Sequence, residues 1–317
     1  MRTVALVTVV ACAIASMIAV VLLRGAGSHL AAATSTPAAS ASASASASPS
    51  QVPHDNDRDS THLGPLKVGV VANSLLQFEE AAGVYPSIDV KYVQWGSPFP
   101  SAEVLEDHGL GVTTMIVLEP NNVSLAGLVN GNDNAYLTSW ARADRKLGLP
   151  VILSFAPEAN GSWYPWGARH ITPDLYRETW RHVHDELTAT GARHVTWLWQ
   201  VCSAWPTSEP LSLLWPGNSY VDEVGIDGQL NEPAASFTST FSQTVAQVQA
   251  ITEKPVMISE VAIGRNPQRP AQITGLFSGA RRDGLYALIL FDVHSKWQIN
   301  SDPAALDAFR KAAKEVQ

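Results

Sequence analysis

Short β-branched runs alternate with longer amphipathic stretches from Leu66 to the end of the chain. Such alternation predicts repeated strand–helix units around a parallel sheet. Several of the short runs are apolar throughout, as strands that are buried on both faces require. The candidate strands are Lys67–Ala72, Val90–Val93, Thr113–Leu118, Val151–Phe155, Val195–Trp199, Glu223–Ile226, Val256–Ser259 and Tyr286–Phe291. Eight strands within residues 63–317 predict an α/β fold, a (β/α)8 TIM barrel, which typically takes ~250 residues.

The stretches between these strands carry the signals of helix ends. One helix is predicted over Asp133–Leu147, and a second over Ala304–Val316 closes the chain. Between them, Thr172 is a capping residue and Pro173 a first helical residue, for a helix that runs toward Gly191. An open, doubly wound sheet is the alternative with the same alternation. No G-x-G-x-x-G follows the first strand and no P-loop is present, so the sequence gives no support for nucleotide chemistry.

Charge and cysteine content exclude further classes of function. The net charge of −8 argues against a nucleic-acid partner, because neutralising phosphates needs clustered Lys and Arg side chains. Cys12 and Cys202 lie far apart and in different kinds of segment, so they predict no disulfide framework. No Cys or His spacing suggests a zinc site, and we expect no metal.

The N-terminal segment predicts export. The run Val4–Leu23 has no charged residue and is flanked by Arg2 and Arg24. About 20 residues at ~1.5 Å each cross the ~30 Å of a bilayer's hydrocarbon, and the run exceeds the ~7–15 residues of a cleavable signal. We therefore expect residues 1–33 to be a membrane anchor, with a signal peptide cleaved after Ala31–Ala33 as the alternative. Either way, the rest of the chain lies outside the cytoplasmic membrane, anchored to it or secreted.

A tether of low complexity follows. Ala38–Ser48 alternates Ala and Ser, and polar residues continue to about Thr61. Such a stretch has no apolar surface to bury, so we expect residues 34–62 to be a disordered linker. The folded domain is then residues 63–317.

Two glutamates follow or close predicted barrel strands. The carboxyl ends of the strands carry the chemistry of a TIM barrel. Glu158 comes just after the fourth strand and Glu260 closes the seventh. Burial in the barrel mouth raises the pKa of a carboxyl group, and glycosidic cleavage needs one protonated and one ionised carboxyl. We therefore predict Glu158 as the general acid/base and Glu260 as the nucleophile of a retaining glycoside hydrolase, with structural salt bridges as the alternative role.

Other polar and aromatic residues are predicted to line the same cleft. Glu119 ends the third strand and Asp227 follows the sixth, so both are candidate hydrogen-bonding partners of a substrate. A polar, glycine-containing loop after Glu158 carries Trp163 and Trp166, whose flat rings suit stacking on sugars. Two more tryptophans are candidates for the same role, although burial in the core is an equal alternative for them: Trp199 and Trp297.

Several of these segments resemble glycoside hydrolase family 26, whose best-known members are β-mannanases. In that family a Glu-x-Asn-Gly segment followed by Trp-x-x-Trp carries the acid/base, and Glu158, Asn160, Trp163 and Trp166 match it here. The match makes Asn160 a further candidate substrate-binding residue. The resemblance implies a (β/α)8 barrel, net retention, no cofactor and endo-attack on a β-linked polysaccharide. The segments that carry it are Val151–Gly167, Trp215–Asp222, Val224–Gly228, Pro255–Glu260 and Phe291 with Trp297.

The sequence departs from the family's pattern around the cleavage point. Pro157 and Ala159 stand where the family commonly has His and Met. Gln229 stands where it has a Tyr that hydrogen-bonds the nucleophile. These changes leave both glutamates in place but alter the subsite that reads the sugar, so a β-glycan other than mannan is an alternative substrate. A catalytically weak or inactive glycan-binding barrel at the cell surface is the alternative function.

Overall fold

The computed structural model describes residues 65–205 and 208–316, which hold the predicted domain apart from its ends. The predicted anchor over residues 1–33 and linker over residues 34–62 lie outside the described residues. Within the described ranges, no helix combines the length and the apolar composition that crossing a bilayer requires.

Eight parallel strands close into a barrel. Each strand pairs with the next in chain order, and β8 returns to pair with β1, which excludes the open, doubly wound alternative. The strands are β1 (Lys67–Val71), β2 (Ile88–Gln94), β3 (Thr113–Glu119), β4 (Val151–Phe155), β5 (Val195–Cys202), β6 (Glu223–Leu230), β7 (Val256–Ile263) and β8 (Ala287–Phe291).

Helices follow the strands, so the predicted (β/α)8 barrel is confirmed. A π-helical segment, Thr238–Ser242, leads directly into α7. The helices are α1 (Leu75–Ala82), α2 (Ser101–Gly109), α3 (Leu125–Val129), α4 (Asn134–Leu147), α5 (Pro173–Thr190), α6 (Leu211–Leu214), α7 (Gln243–Ile251), α8 (Arg269–Arg282) and α9 (Pro303–Lys314).

The predicted ends of α5 are confirmed. The Thr172 hydroxyl accepts a hydrogen bond from the Leu175 backbone N–H at 3.2 Å, and Pro173 takes the first helical position, where its missing N–H costs nothing. Gly191 ends the helix with a φ of 106°, a backbone conformation that glycine adopts without strain. These signals fix the helix that packs behind β4 and β5.

Apolar side chains form two layers. Strand residues of one parity, among them Val90, Met115 and Ile289, fill the inside of the barrel. Residues of the other parity, together with the inner faces of the helices, form a larger shell that includes Trp140 and Trp180. Both layers are built from apolar side chains, and the carboxyl ends of the strands form the mouth of the barrel, where the functional groups of such a fold lie.

Three predicted strand ends are wrong by three or four residues. β5, β6 and β7 continue to Cys202, Leu230 and Ile263, because polar side chains near their ends face the barrel mouth and do not end the strand. Asp227 therefore lies inside β6, and Glu260 lies inside β7 and does not close it.

An irregularity in β7 turns Glu260 toward the barrel interior. Ile226 of β6 pairs with Ile258, but the next residue, Asp227, pairs with Glu260, so Ser259 is an extra residue. Ser259 already faces the inside, since its hydroxyl donates to Asp227. In a regular strand Glu260 would then face the outer helices. The bulge resets the alternation, and Glu260 faces the mouth as well.

Candidate active site

One pocket at the mouth of the barrel brings together both predicted catalytic residues, Glu158 and Glu260. Glu119, at the end of β3, lies within electrostatic range of both. Side chains from β2, β5, β6 and β7 and from the loop after β4 meet here, as expected for the carboxyl ends of barrel strands. The pocket is lined by Tyr92, Pro157, Glu158, Tyr164, Gln200, Asp227 and Glu260.

Glu158 lies on a strained turn. Its φ of 55° and the φ of 47° at Ala156 both fall in the left-handed region, which non-glycine residues rarely adopt. The turn is held because the Glu158 N–H donates to the Gln200 carbonyl of β5 at 2.9 Å. Such strain persists where surrounding structure over-determines it, and it clusters at functional sites. Here it points a carboxyl group into the pocket immediately after a buried strand.

Trp163 fixes the carboxyl group of Glu158. Its indole N–H donates to Glu158 Oε2 at 2.9 Å. The indole can fold back this far because Gly161 has no side chain, since a Cβ there would lie 2.2 Å from the ring. The outer face of Trp163 stacks on Trp205, with ring centroids 5.1 Å apart. Trp163 is half-buried at the mouth, so a flat aromatic surface adjoins the pocket.

Glu260 and Asp227 lie side by side on β7 and β6 with different donors. The Tyr92 hydroxyl of β2 donates to Glu260 Oε2. Asp227 accepts from the Ser259 hydroxyl at 2.6 Å and from the Gln200 amide at 2.7 Å, so each of its oxygens has a donor. Asp227 is 3% exposed and is committed to these protein partners.

Glu119 has its own set of donors at the edge of the pocket. The Gln94 amide of β2 donates to its Oε2, and the Tyr164 hydroxyl lies 3.4 Å from its Oε1. Asn121 bridges the pair, since its amide donates to Gln94 Oε1 at 2.7 Å. Glu119 is 1% exposed, so its oxygens serve this network and any ligand reaches it through Gln94 or Tyr164.

Burial raises the pKa of all four carboxyl groups. It raises the pKa of Glu119 to about 7 and that of Asp227 to about 7. The pKa of Glu158 lies well above 4.5, because burial is reinforced by the charges of Asp227 and Glu260. Burial and Asp227 also raise the pKa of Glu260, while the hydrogen bond from Tyr92 opposes that rise. Four like charges cannot share this space, so protons are retained, foremost on Glu158.

Three of the predicted substrate-binding residues are buried behind the pocket. Asn160 is fully buried, and its amide pairs with the backbone of Cys202 at 2.8 and 3.0 Å, so it joins the β4 loop to β5. Trp166 is 1% exposed and donates to the Pro157 carbonyl at 2.7 Å. Trp199 is fully buried in the outer shell, where it packs on Trp215. These side chains support the site from behind.

Trp297 lies in the loop after β8 and is 8% exposed. Its indole N–H donates to Asn231 at 3.2 Å, and the Asn231 amide donates in turn to Gln229. The buried Arg269 guanidinium binds the Trp297 carbonyl and so anchors the loop. Gln229 therefore takes part in a link between the β6 and β8 loops and donates no hydrogen bond to Glu260.

The sequence interpretation gave no role to β2, which supplies a donor to each of two carboxyl groups. Tyr92 and Gln94 are two residues apart, so they lie on the same face of the strand. The signal was present in the sequence as two polar-tipped side chains at alternate positions near the end of a buried strand. Gln200 is likewise a polar side chain near the end of a buried strand, β5. In the described residues, no group of three or more His, Cys, Asp and Glu side chains is arranged to hold a metal ion.

The fold and the carboxyl-lined mouth resemble those of barrel glycoside hydrolases, and comparison with known proteins finds similarity to one family of them. The family model of glycosyl hydrolase family 26 matches residues 117–269, which include both Glu158 and Glu260. Endoglucanase H of Acetivibrio thermocellus is 30% identical over 263 residues, which are 76% of this chain and 29% of that protein. The β-1,3-xylanase TXYA of a Vibrio species is 34% identical over 116 residues, 36% of this chain and 24% of that protein.

Solved structures show the same fold. The catalytic domain of a family 26 endo-β-1,4-mannanase from Bacillus sp. JAMB-750 superposes with a TM-score of 0.64 at 16% identity. The match covers 79% of this chain and 86% of that one. These matches support the resemblance to glycoside hydrolase family 26 that the motifs predicted. The chain spans less than a third of the length of the two sequence relatives named here.

The crowded carboxyl groups predict a stability that falls as pH rises. Their pKa values are raised in the folded chain, so the folded state holds protons that the unfolded state has lost. The stabilisation is complete below the ordinary carboxyl pKa and is lost as pH rises through the folded values. Glu260→Gln keeps that position neutral. We therefore expect its free energy of unfolding at pH 8 to exceed that of the unsubstituted protein by ~1–3 kcal/mol, which raises its melting temperature by a few degrees.

At pH 4 the Glu260→Gln variant and the unsubstituted protein should melt together, because the glutamate is then protonated. Glu80→Gln is the matched control, since Glu80 is exposed on α1 and its substitution should leave both melting temperatures unchanged. Thermal unfolding, monitored by circular dichroism, measures the melting temperatures at pH 4 and at pH 8. A Glu260→Gln variant that is no more stable than the unsubstituted protein at pH 8 would show that the native site does not oppose the charge.

Proposed function

We propose that this chain is a retaining glycoside hydrolase that cleaves a β-linked polysaccharide, with Glu158 as the acid/base and Glu260 as the nucleophile. The main support for this proposal is that both carboxyl groups line one pocket but have different neighbours. Glu158 faces three other carboxyl groups, which favours its protonated form. Glu260 accepts a hydrogen bond from Tyr92, which favours its ionised form.

In the first step Glu158 donates its proton to the glycosidic oxygen as the bond from that oxygen to the anomeric carbon breaks. A carboxylate oxygen of Glu260 bonds to the anomeric carbon from the opposite face. The leaving part of the chain departs as an alcohol, and the other part remains as an ester of Glu260. The hydrogen bond from the Trp163 indole to Oε2 of Glu158 holds the carboxyl group in one orientation while the proton leaves.

In the second step Glu158, now ionised, takes a proton from water, and the water oxygen bonds to the anomeric carbon. Glu260 leaves as a carboxylate, and Glu158 is protonated again. Two inversions at the anomeric carbon give net retention. Every proton is accounted for by Glu158 and water, so these steps use no cofactor.

The substrate in this proposal is a β-mannan or a related β-glycan. The relatives are named for different polysaccharides, a glucan, a xylan and a mannan, so the family does not choose between them. The stacked pair of Trp163 and Trp205 adjoins Glu158, so its exposed edge is the aromatic surface that we propose contacts a sugar ring next to the cleavage point. Release of oligosaccharides from β-mannan, β-glucan and β-xylan by the domain from Leu63 onward tests this choice.

An inactive glycan-binding barrel is the alternative function. Pro157 and Gln229 favour it, because both replace residues that the family commonly has near the cleavage point. The acidic pocket with Glu158 and Glu260 intact favours the enzyme. Binding of a polysaccharide without release of reducing ends, and without hydrolysis of any activated aryl glycoside, would establish the alternative.

Two alanine variants separate the roles of the glutamates. Glu260→Ala removes the nucleophile, so we expect turnover of every substrate to collapse. Glu158→Ala removes the proton donor, which an activated aryl leaving group scarcely needs, so aryl release in the first turnover should persist while cleavage of polysaccharide is lost. Burst kinetics with a dinitrophenyl glycoside measure the first step separately from the second.

Added azide is the diagnostic for the two roles. Azide needs no general base, so it should restore turnover of Glu158→Ala and yield a glycosyl azide of retained configuration. With Glu260→Ala, azide should give a product of inverted configuration. Substitution of Glu119 by Ala is the matched control for a buried carboxyl group in the same mouth and should show no rescue of either kind. Unchanged activity in both Glu158→Ala and Glu260→Ala would move the assignment to Glu119 and Asp227.

The proposal includes export. Residues 1–33 carry the barrel across the cytoplasmic membrane and hold it there, and residues 34–62 space it from the surface. Fractionation of cells that produce the full chain tests this. We expect the intact protein in the membrane fraction, accessible to protease from outside. Protein free in the medium with a new N-terminus near Thr34 would show cleavage, and protein confined to the cytoplasm would contradict export.

A further inference from the structure

Tyr92 reaches the proposed nucleophile from a strand to which the sequence interpretation assigned no role. It lies on β2, two residues before the end of the strand, and its hydroxyl donates to Glu260 Oε2. The two residues are far apart in the chain and meet because the barrel brings β2 and β7 to one mouth. Tyr92 also lines the pocket that holds Glu158 and Glu260.

We infer that Tyr92 is a positioning residue for catalysis, which orients Glu260 for attack and favours ionisation of Glu260 over ionisation of Glu158. The inference rests on the proposed function, since it assumes that Glu260 is the nucleophile. Glu158 and Glu260 share one buried, acidic environment, and the hydrogen bond from Tyr92 of β2 makes the two carboxyl groups different.

The orientation follows from the geometry of the bond. Oε2 of Glu260 accepts from Tyr92, and among the described residues no donor binds Oε1. Oε1 is therefore the oxygen left open to the pocket. Tyr92 is itself half-buried on a barrel strand and packs against the inner apolar layer, so its hydroxyl is held by the barrel framework. A nucleophile with one oxygen fixed and one open keeps a single direction of attack.

The choice of protonation state follows from the donors. Burial and the neighbouring Glu260 raise the pKa of Tyr92 well above 10, so the phenol keeps its proton and acts only as a donor. A donor to a carboxylate stabilises its ionised form. Around Glu260, the groups that oppose ionisation are Glu119 of β3 and Asp227 of β6.

Glu158 and Tyr164, from the segment after β4, complete the titratable groups around this pocket. Glu158 has the indole of Trp163 as its donor and faces the charges of Glu119, Asp227 and Glu260. The proton shared among these carboxyl groups is therefore placed on Glu158. Without the Tyr92 hydroxyl, the preference of the proton for Glu158 would be smaller, and Glu260 would compete for that proton.

Tyr92→Phe tests the inference by removing one oxygen atom. We expect kcat/KM for a dinitrophenyl glycoside to fall about 10- to 100-fold, because a hydrogen bond to a charged group is lost. The fall should lie in kcat and in the rate of the first step, with KM little changed. The acid limb of the pH profile should move about one unit to higher pH, since Glu260 then loses its proton less readily.

Tyr286→Phe is the matched control. Tyr286 precedes β8 and its hydroxyl donates to Glu223 at the start of β6, so it is another barrel tyrosine bonded to a glutamate, at the opposite end of the strands. Its loss should leave the pH profile unmoved. Replacement of Tyr92 by 3-fluorotyrosine keeps the shape but makes the phenol a stronger donor, so the acid limb should move to lower pH. That variant carries the test even where Tyr92→Phe does not fold.

The outcomes separate this inference from the proposed function. If the unsubstituted protein cleaves no aryl glycoside, or Glu260→Ala keeps full activity, the proposed function fails. Suppose that the unsubstituted protein cleaves an aryl glycoside and that Glu260→Ala loses this activity. If the acid limb of the pH profile then stays in place in folded Tyr92→Phe and in the 3-fluorotyrosine variant, the role of Tyr92 is refuted. An equal shift in Tyr286→Phe would also refute it, because the effect would then be one of general structure.

Discussion

One extra residue in β7 determines which way Glu260 points. The pairing of Ile226 with Ile258 and of Asp227 with Glu260 leaves Ser259 unmatched, so two successive side chains of β7 face the inside of the barrel. Ser259 binds Asp227, and Glu260 enters the pocket beside it. Without that residue the carboxyl group would lie among the outer helices, and the mouth would lack the proposed nucleophile. The site therefore depends on a local departure from regular strand geometry.

The gathering of four carboxyl groups is the second constraint. Each is almost wholly buried, and burial with like charges nearby opposes ionisation of all of them. The protein offsets this cost with neutral donors, which include Tyr92, Gln94, Trp163 and Gln200, and no lysine or arginine lines the described pocket. With neutral donors alone, the pKa values of Glu119 and Asp227 are about 7. The same arrangement that destabilises the folded chain provides the acid and the base that the proposed reaction needs.

The alternation of apolar runs was enough to predict the barrel, its eight strands and the position of Glu158 and Glu260 at the mouth. It could not predict the bulge at Ser259, because an apolar strand with one extra residue has the same composition as a regular one. Nor could it predict that Asn160 pairs with the backbone of β5, since that depends on how a loop folds back on a neighbouring strand. The sequence shows Tyr92 as a polar side chain near the end of a strand. It does not show the partner of Tyr92, because Glu260 lies in another strand and only closure of the barrel brings the two together.

Trapping the covalent intermediate tests the central claim most directly. An activated 2-deoxy-2-fluoro β-glycoside slows both steps of a retaining enzyme, and with a good leaving group the glycosyl ester accumulates. Mass spectrometry of a peptic digest then locates the ester, with the β-glucoside, β-mannoside and β-xyloside each supplied in turn. The account predicts a single adduct on Glu260 that is absent from Glu260→Ala. An adduct on Glu119, Asp227 or Glu158, or cleavage of natural substrate with inverted configuration and no adduct, would contradict it.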